Sequence, residues 1–286
     1  MSLTIRFWGV RGSIPSPGPS TASVGGNTSC VEVRCRDQVF ILDAGTGLRG
    51  LGDALLAQTQ PVTAHMLFSH VHWDHIQGLP FFAPIYRPNT TLHMYGTPEQ
   101  GDLESVLNGQ MKAPNFPVGF DQAPARMHFN AAPIGESFDI GPVTVSTAPL
   151  NHPNGVLAYR IDCDGRSVVY ATDTEHYSDG SIDSNLVVLA RDADVLIYDA
   201  QYTPDEYCGH VGHSRKGWGH STWEEGVRVA RAADVKQLVL FHHEPSHDDA
   251  MVAEIERTAA AALPGTIAAR EGLSLSLTSR RARRAA

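Results

Sequence analysis

Apolar residues recur along the chain in short segments, some alternating with polar residues and some running together, and both patterns predict β-strands. The segments 30–35 and 39–42 are spaced as the two strands of a hairpin. The full set of predicted strands comprises residues 5–8, 30–35, 39–42, 66–68, 91–95, 143–147, 167–171, 195–198 and 238–241. Short strands separated by longer segments favour a fold that mixes strands with helices.

Helices are predicted between and after these strands, at residues 48–58, 76–82, 97–109, 221–233 and 248–262, and Pro80 and Pro84 are expected to break the second. The third has Thr97 as its cap and Pro98 at its first position. In the fourth, Ser221 and Glu224 have the spacing of a capping box. Because no internal repeat or linker is visible, we expect residues 1–286 to form a single domain.

Polar residues with metal-binding side chains follow several of the predicted strands. His152 comes after the strand at 143–147, Asp173 after 167–171, Asp199 after 195–198 and His242 after 238–241. This pattern is typical of a sheet that presents its functional site at one edge. Asp43 also follows a strand, and its acid is either a turn former or a partner that orients a metal-bound imidazole.

The densest cluster of such side chains is the segment from Ser69 to His75, which follows an apolar strand. His70 and His72 leave an extended backbone on the same side, and Asp74 and His75 come from the turn that follows. Imidazole nitrogen and carboxylate oxygen bind zinc and its first-row neighbours at roughly 2.0–2.2 Å. A surface turn or a buried, hydrogen-bonded histidine explains one such residue, but packing gives no reason to cluster three. Four ligands in one loop favour two ions sharing the site.

Composition narrows the classes of protein to consider. The hydrophobic fraction of 42% is that of an ordinary globular protein, and the net charge of −9 argues against a broad nucleic-acid-binding surface. No apolar run approaches the ~20 residues of a membrane span, and the first residues lack signal-peptide features. The four cysteines form no CxxC pair, which favours a reduced, cytoplasmic protein. The basic tail at residues 279–286 is expected to be solvated and disordered.

The order of these residues resembles that of metallo-β-lactamase-fold hydrolases, and the resemblance covers nearly the whole chain. It is carried by His70, His72, Asp74, His75, His152, Asp173 and His242. The chain is most similar to the phosphodiesterase branch, which includes tRNase Z and class II cyclic-nucleotide phosphodiesterases. The segment from Gly219 to Thr222 resembles the HST element of tRNase Z, and Asn27 lies in a loop like the asparagine-bearing loop of those enzymes.

The resemblance implies an α/β fold, a four-layer αββα sandwich with two divalent metal ions at the sheet edge. One ion would take His70, His72 and His152. The other would take Asp74, His75 and His242, and Asp173 would bridge the two. His243 is the alternative to its neighbour His242. Zinc is the first expectation for the metal, and manganese, iron or cobalt also suits these ligands.

The activity that the resemblance implies is hydrolysis of a phosphodiester bond by a metal-bridged hydroxide, in a small nucleotide such as a cyclic nucleotide. Asp74 would bind metal and accept the proton of the nucleophile. His220 would hydrogen-bond the phosphate or protonate the departing alkoxide, with Asp199 as a candidate to orient it. The related enzymes suggest a homodimer, and no membrane partner is expected.

Three other functions remain open at this point. The first is a tRNase Z-like RNA endonuclease, which the acidic charge disfavours, as does the short distance in sequence between His152 and Asp173. That distance leaves little room for a recognition arm, so nucleic acid is not expected as the main substrate. The second is a lactonase or thioesterase that uses the same metal ligands. The His220 element favours phosphodiesters over the substrates of those enzymes. The third is a non-catalytic metal-binding sensor, which the complete ligand set disfavours.

Overall fold

Two seven-stranded sheets form the centre of the computed structural model, which describes residues 2–58 and 60–279. The first sheet has the order β14-β1-β2-β3-β4-β5-β6. Its strands are β1 Ser2–Gly9, β2 Cys30–Cys35, β3 Gln38–Leu42, β4 Val62–Leu67, β5 Thr90–Gly96, β6 Arg126–Ala131 and β14 Ser274–Thr278. The strands from β3 to β6 run parallel, and those from β14 through β1 and β2 to β3 are antiparallel.

The second sheet has the order β13-β12-β11-β10-β9-β8-β7. Its strands are β7 Ser137–Ile140, β8 Val143–Leu150, β9 Val156–Cys163, β10 Arg166–Ala171, β11 Val195–Asp199, β12 Leu238–Phe241 and β13 Ile267–Ala268. The strands from β10 to β13 run parallel, and those from β7 to β10 are antiparallel. Each sheet therefore has a parallel half, and connections between parallel strands need crossovers of the kind that helices supply.

Helices cover the outer face of each sheet. They are α1 Leu48–Leu56, α2 Trp73–Ile76, α3 Leu103–Gly109, α4 Ser184–Ala190, α5 Pro204–Cys208, α6 Trp223–Ala232 and α7 Asp249–Ala262. Buried residues of α1 and α3 pack on the first sheet, and those of α4, α6 and α7 pack on the second. The order of layers is helix, sheet, sheet, helix, so the predicted αββα sandwich is confirmed.

The inner core fills the space between the sheets because alternate residues of each strand point towards it. The rings of Phe7 and Phe241, from opposite sheets, lie 6.2 Å apart between centroids. A disulfide between Cys35 of β2 and Cys163 of β9 also joins the sheets. The expectation that all four cysteines are reduced is wrong for this pair, since their sequence spacing gave no sign that β2 and β9 come together.

Two predicted helices are interrupted in the structure. The segment 97–109 divides into a 3-10 turn at Pro98–Gln100 and helix α3, because Gly101 adopts a φ of 97° and Asp102 starts a new cap. The segment 76–82 instead contains the end of α2 and a 3-10 turn at Leu79–Phe81. Pro80 lies within that turn, where its missing N–H prevents a continuous α-helix.

Other differences concern caps and strands. Thr222, and not Ser221, caps α6, and its hydroxyl accepts a bond from the Glu225 N–H. The strands absent from the prediction are β6, β7, β9, β13 and β14, four of which lie at or near sheet edges. None of the helices in the described residues is long and apolar enough to span a membrane. The basic tail, apart from Ser279, lies outside the described residues.

Candidate metal centre

The site lies at the edge of the sandwich where strands of both sheets end. His70 follows β4, His152 follows β8, Asp173 follows β10 and His242 follows β12. Asp173 and His242 have φ values of 52° and 61°, so each turns sharply out of its strand. Asp and His are among the residues that tolerate this left-handed region best. The local backbone therefore directs both side chains to the sheet edge.

The first group of candidate ligands consists of His70, His72 and His152, whose ligand atoms lie within 4.8 Å of one another. His72 Nδ1 is 3.1 Å from His152 Nε2. His72 is partly exposed, whereas His70 is buried. Three imidazoles therefore converge at the more open side of the site.

The second group, also within 4.8 Å, consists of Asp74, His75, Asp173 and His242, all buried. His242 Nε2 is 3.1 Å from Asp74 Oδ2, and His75 Nε2 is 3.2 Å from the same oxygen. The Ser13 N–H donates to this oxygen at 2.8 Å. Two carboxylates and two imidazoles therefore meet on the enclosed side of the site.

Asp173 lies between the two groups, with one oxygen directed to each. Its Oδ1 is 3.2 Å from His75 Nε2 and 3.3 Å from His242 Nε2. Its Oδ2 is 3.5 Å from His70 Nε2 and 3.9 Å from His152 Nε2. Burial disfavours its charged form, but His242, His75 and His70 hold the pKa of Asp173 well below its usual range. An ionised carboxylate in this position has the geometry of a bridge.

A hydrogen bond to Nδ1, the ring nitrogen that points away from the other candidate ligands, fixes the orientation of His75. His75 Nδ1 donates to Asp43 Oδ2 at 2.8 Å. Asp43 also accepts bonds from the Ser69 N–H and the Tyr170 hydroxyl, both at 2.7 Å. Asp43 has a φ of 60°, so it both turns the chain and holds an imidazole. Asp43 therefore does both of the things that its sequence position suggested: it forms the turn after β3 and it orients an imidazole of the cluster.

One further histidine of each group, His242 and His152, is oriented in the same way. His242 Nδ1 is 3.0 Å from Gln201 Oε1, and His152 Nδ1 is 2.7 Å from the Gly219 carbonyl. Because these oxygens only accept, Nδ1 carries the proton and the lone pair of Nε2 points inward. Neither Gln201 nor Gly219 is recognisable from the sequence as a partner of these histidines.

The donor set fits divalent cations. His70 Nε2 is buried and has no hydrogen-bond partner among the described residues, which is costly for a polar atom unless a ligand binds it. His75 Nε2 is also buried and lies 3.2 Å from both Asp74 Oδ2 and Asp173 Oδ1. His72 Nδ1 and His152 Nε2 face each other at 3.1 Å, where either a proton or a shared cation joins them. Imidazoles backed by acceptors, together with carboxylates, form the usual environment of zinc and related metals.

His220 stands beside the second group and is held by Asp199. Its Nδ1 is 2.9 Å from Asp199 Oδ2, and its ring stacks on that of His242 with centroids 5.0 Å apart. Burial lowers the pKa of His220, but the Asp199 and Asp173 carboxylates more than offset this and raise it to about 9. The structure thus brings together Asp199 and His220, as the sequence suggested.

Two other residues considered in the sequence lie away from the centre. His243 Nε2 is 3.0 Å from the Ala269 carbonyl, and burial lowers its pKa to about 3. Asn27 donates to the Glu271 carboxylate through both its backbone and its side-chain N–H groups. The cluster therefore contains His242 and not His243, and Asn27 supports the loop at residues 9–27.

Comparisons with known proteins agree with this architecture. A family described as "Beta-lactamase superfamily domain" matches residues 39–243. Ribonuclease Z of Synechococcus sp. (strain CC9311) is 25% identical, over 96% of this chain and 98% of that protein. The uncharacterized protein ML1173 of Mycobacterium leprae is 31% identical, over 72% of this chain and 67% of that protein.

Among solved structures, a diphosphatase from the PhnP family superposes with a TM-score of 0.70 at 20% identity, covering 97% of this chain and 98% of the other. At 20% identity, this superposition shows that the two proteins share a fold. The sandwich, the sequence family and the groups of histidines and aspartates all lead to one assignment. The chain belongs to the beta-lactamase superfamily and is a metal-dependent hydrolase with the metallo-β-lactamase fold.

Proposed function

We propose that this hydrolase cleaves a phosphodiester bond in a small nucleotide, such as a cyclic nucleotide, with two divalent metal ions. The observation that carries the proposal is the pairing of His220 with Asp199. This pair lies beside Asp173, the carboxylate that faces both groups of candidate ligands. Esters and lactones need only the metal ligands. A charged donor at the edge of the site suits the departing oxygen of a phosphodiester.

In this proposal one ion is held by His70, His72 and His152, and the other by Asp74, His75 and His242. Asp173 is their shared ligand. Zinc is the preferred metal, and manganese, iron or cobalt also suits a mixed nitrogen and oxygen set. The bound metals would lower the pKa of water and offset negative charge on the phosphoryl oxygens.

Asp74 and His220 have separate roles in moving protons. Asp74 Oδ2 is fixed by the Ser13 N–H at 2.8 Å, so this carboxylate is positioned to accept the proton of the attacking water. His220 engages Asp199 through Nδ1, which leaves Nε2 to donate to a phosphate oxygen or to the departing alkoxide. Burial lowers the pKa of His220, but the Asp199 carboxylate raises it, which favours the protonated ring that this donation requires.

RNA cleavage is the second candidate, because Ribonuclease Z of Synechococcus matches 96% of this chain. Two features favour a small substrate. The residues between His152 and Asp173 form the antiparallel pair β9 and β10, with a tight turn at Asp164 and Gly165. The net charge of −9 also opposes binding of a polyanion. A homodimer and a cytoplasmic location stay predictions.

A substrate panel on protein of measured metal content tests the proposal. The panel contains bis(p-nitrophenyl) phosphate, cyclic AMP, a dinucleotide, a precursor tRNA and a lactone. We expect turnover of the phosphodiesters, loss of turnover after chelation, and recovery when zinc or manganese is returned. Hydrolysis of the lactone with failure of every phosphodiester would overturn the proposal, and preference for the precursor tRNA would favour the second candidate.

A further inference from the structure

A cavity of about 460 Å³ opens directly beside the metal centre. His220, Ser13 and Gln201 form its inner lining. Each of them contacts the centre: Ser13 through Asp74, Gln201 through His242 and His220 by stacking on the same His242 ring. The volume lies in the range of small-molecule sites. A group attached to a phosphate at the centre can therefore extend into this cavity.

The outer wall of the cavity is aromatic and cationic. Trp218 is 50% exposed, so about half of its surface is accessible to a ligand. The guanidinium carbon of Arg215 lies 4.7 Å from the centroid of Trp218 and 5.8 Å from that of Tyr202. Bases stack on exposed aromatic side chains, and arginine strengthens such contacts. This wall has the chemistry that holds a planar nucleobase.

Charge distinguishes this cavity from its larger neighbour. Among the described residues no carboxylate forms an ion pair with Arg215, and its guanidinium donates a hydrogen bond to His213. This cavity is lined by one carboxylate, Glu244, which accepts a bond from the Gln201 amide at 2.8 Å, whereas the neighbouring cavity, of about 780 Å³, is lined by three: Glu175, Glu224 and Glu225. Its arginine, Arg228, is already bonded to Glu225 at 2.6 Å. An anionic nucleotide is therefore better accommodated beside Arg215.

The segment that carries Trp218 is held in place. The Glu175 carboxylate accepts bonds from the Gly217 N–H at 2.7 Å, the Gly219 N–H at 2.8 Å and the Tyr207 hydroxyl at 2.7 Å. Trp218 lies between the two bonded glycines, and His220 follows them. A wall fixed before binding loses little entropy when a ligand stacks on it.

We propose that this cavity binds the nucleobase of the substrate, with Trp218 as the stacking surface and Arg215 as the donor to the oxygen atoms of the same nucleotide. The inference rests on the proposed phosphodiesterase function and names the part of the substrate that the site selects. It makes Trp218 and Arg215 residues that determine specificity, separate from the residues that cleave the bond.

Two esters with the same leaving group separate base recognition from catalysis. Thymidine 5′-(p-nitrophenyl) phosphate carries a base, and methyl p-nitrophenyl phosphate does not. We expect Trp218→Ala to lower kcat/KM for the thymidine ester by about 10- to 100-fold, the scale of one base stack, and to change the methyl ester less than about twofold. Trp218→Phe should restore most of the loss. Arg215→Gln should also lower kcat/KM for the thymidine ester and leave that for the methyl ester unchanged.

Val211→Ala is the matched control, because Val211 is 59% exposed in the same loop and does not line the cavity. It should leave both esters unchanged. An equal loss for both esters, or no loss for the thymidine ester, would overturn the inference while leaving the phosphodiesterase proposal intact.

If wild-type protein hydrolyses neither ester, the proposed function fails, and binding then decides the inference. Calorimetry on zinc-loaded protein would compare AMP with inorganic phosphate. The base site is supported if Trp218→Ala weakens the binding of AMP but not that of phosphate. Unchanged AMP binding, or an equal change in phosphate binding, contradicts it.

Discussion

The two groups of ligands at the metal centre differ in burial and in charge. The group of His70, His72 and His152 supplies three neutral nitrogens and is partly open to solvent at His72. The group that contains Asp74 and Asp173 is wholly buried and supplies two carboxylates. Because opposite charges interact more strongly when they are removed from water, we expect the buried group to bind its cation more tightly. The open group is then the side that exchanges metal with solvent.

The partners behind the ligands differ in the same direction. His75 and His242 are held by the Asp43 carboxylate and the Gln201 amide, both of which are buried. His152 is held by a backbone carbonyl, and the outer nitrogen of His72 faces the exposed amide of Asn154 at 3.3 Å. A charged acceptor raises the basicity of an imidazole more than a neutral one does. The buried group is therefore both more anionic and more firmly oriented.

Removing a carboxylate from the buried group should have the largest effect. Asp74→Ala deletes an oxygen that lies within 3.2 Å of two imidazoles, and with it the proposed proton acceptor. We expect turnover to fall to background and the metal content to fall below two ions per chain, as measured by mass spectrometry of the metals. Full metal content with background turnover would leave only the proton-transfer role for Asp74.

His220→Ala should act on catalysis without acting on either group of ligands. We expect both metals to remain and kcat to fall by about 10²–10⁴-fold, which is the usual scale of general-acid assistance. The measurements are steady-state kinetics and metal content on the same preparation. Loss of a metal in this variant would mean that His220 is a ligand, and the role proposed for it would be wrong.

Asp43→Asn should weaken the buried group without affecting the open one. The substitution keeps the shape of the side chain but removes the charge that His75 Nδ1 faces at 2.8 Å. We expect metal affinity to fall by about 10- to 100-fold at one of the two sites, measured by competition with a chelator. The exposed Asp53 provides a control, because Asp53→Asn should leave both affinities unchanged. Equal weakening of both sites would contradict the difference between the groups.

The sequence indicated which side chains cluster at the site much better than it indicated what supports them. His70, His72, Asp74 and His75 are recognisable because four potential ligands follow one strand, and His242 because it directly follows another. Gln201 is 41 residues from His242 and is of a type common on any surface. The Gly219 partner is a backbone carbonyl, which every residue type has, so the residue type does not reveal it. Support for the site therefore depends on tertiary contacts that local patterns do not contain.

The same limit applies to the fold. Central strands such as β11 and β12 are continuous apolar runs and were predicted, whereas the half-exposed edge strands β6, β7 and β14 have mixed composition and were not. The predicted helix at 97–109 was wrong at Gly101, where the left-handed backbone conformation separates two short elements. Local strand and helix signals therefore lose reliability at sheet edges and wherever a glycine allows the chain to turn.

Titration of metal-free protein with zinc tests the central claim most directly, with bound metal and turnover of bis(p-nitrophenyl) phosphate followed in the same samples. Two unequal sites that share Asp173 predict little activity during the first equivalent and a rise in turnover as the second equivalent binds. Full activity at one equivalent, or no hydrolysis of the diester at two, would contradict the account.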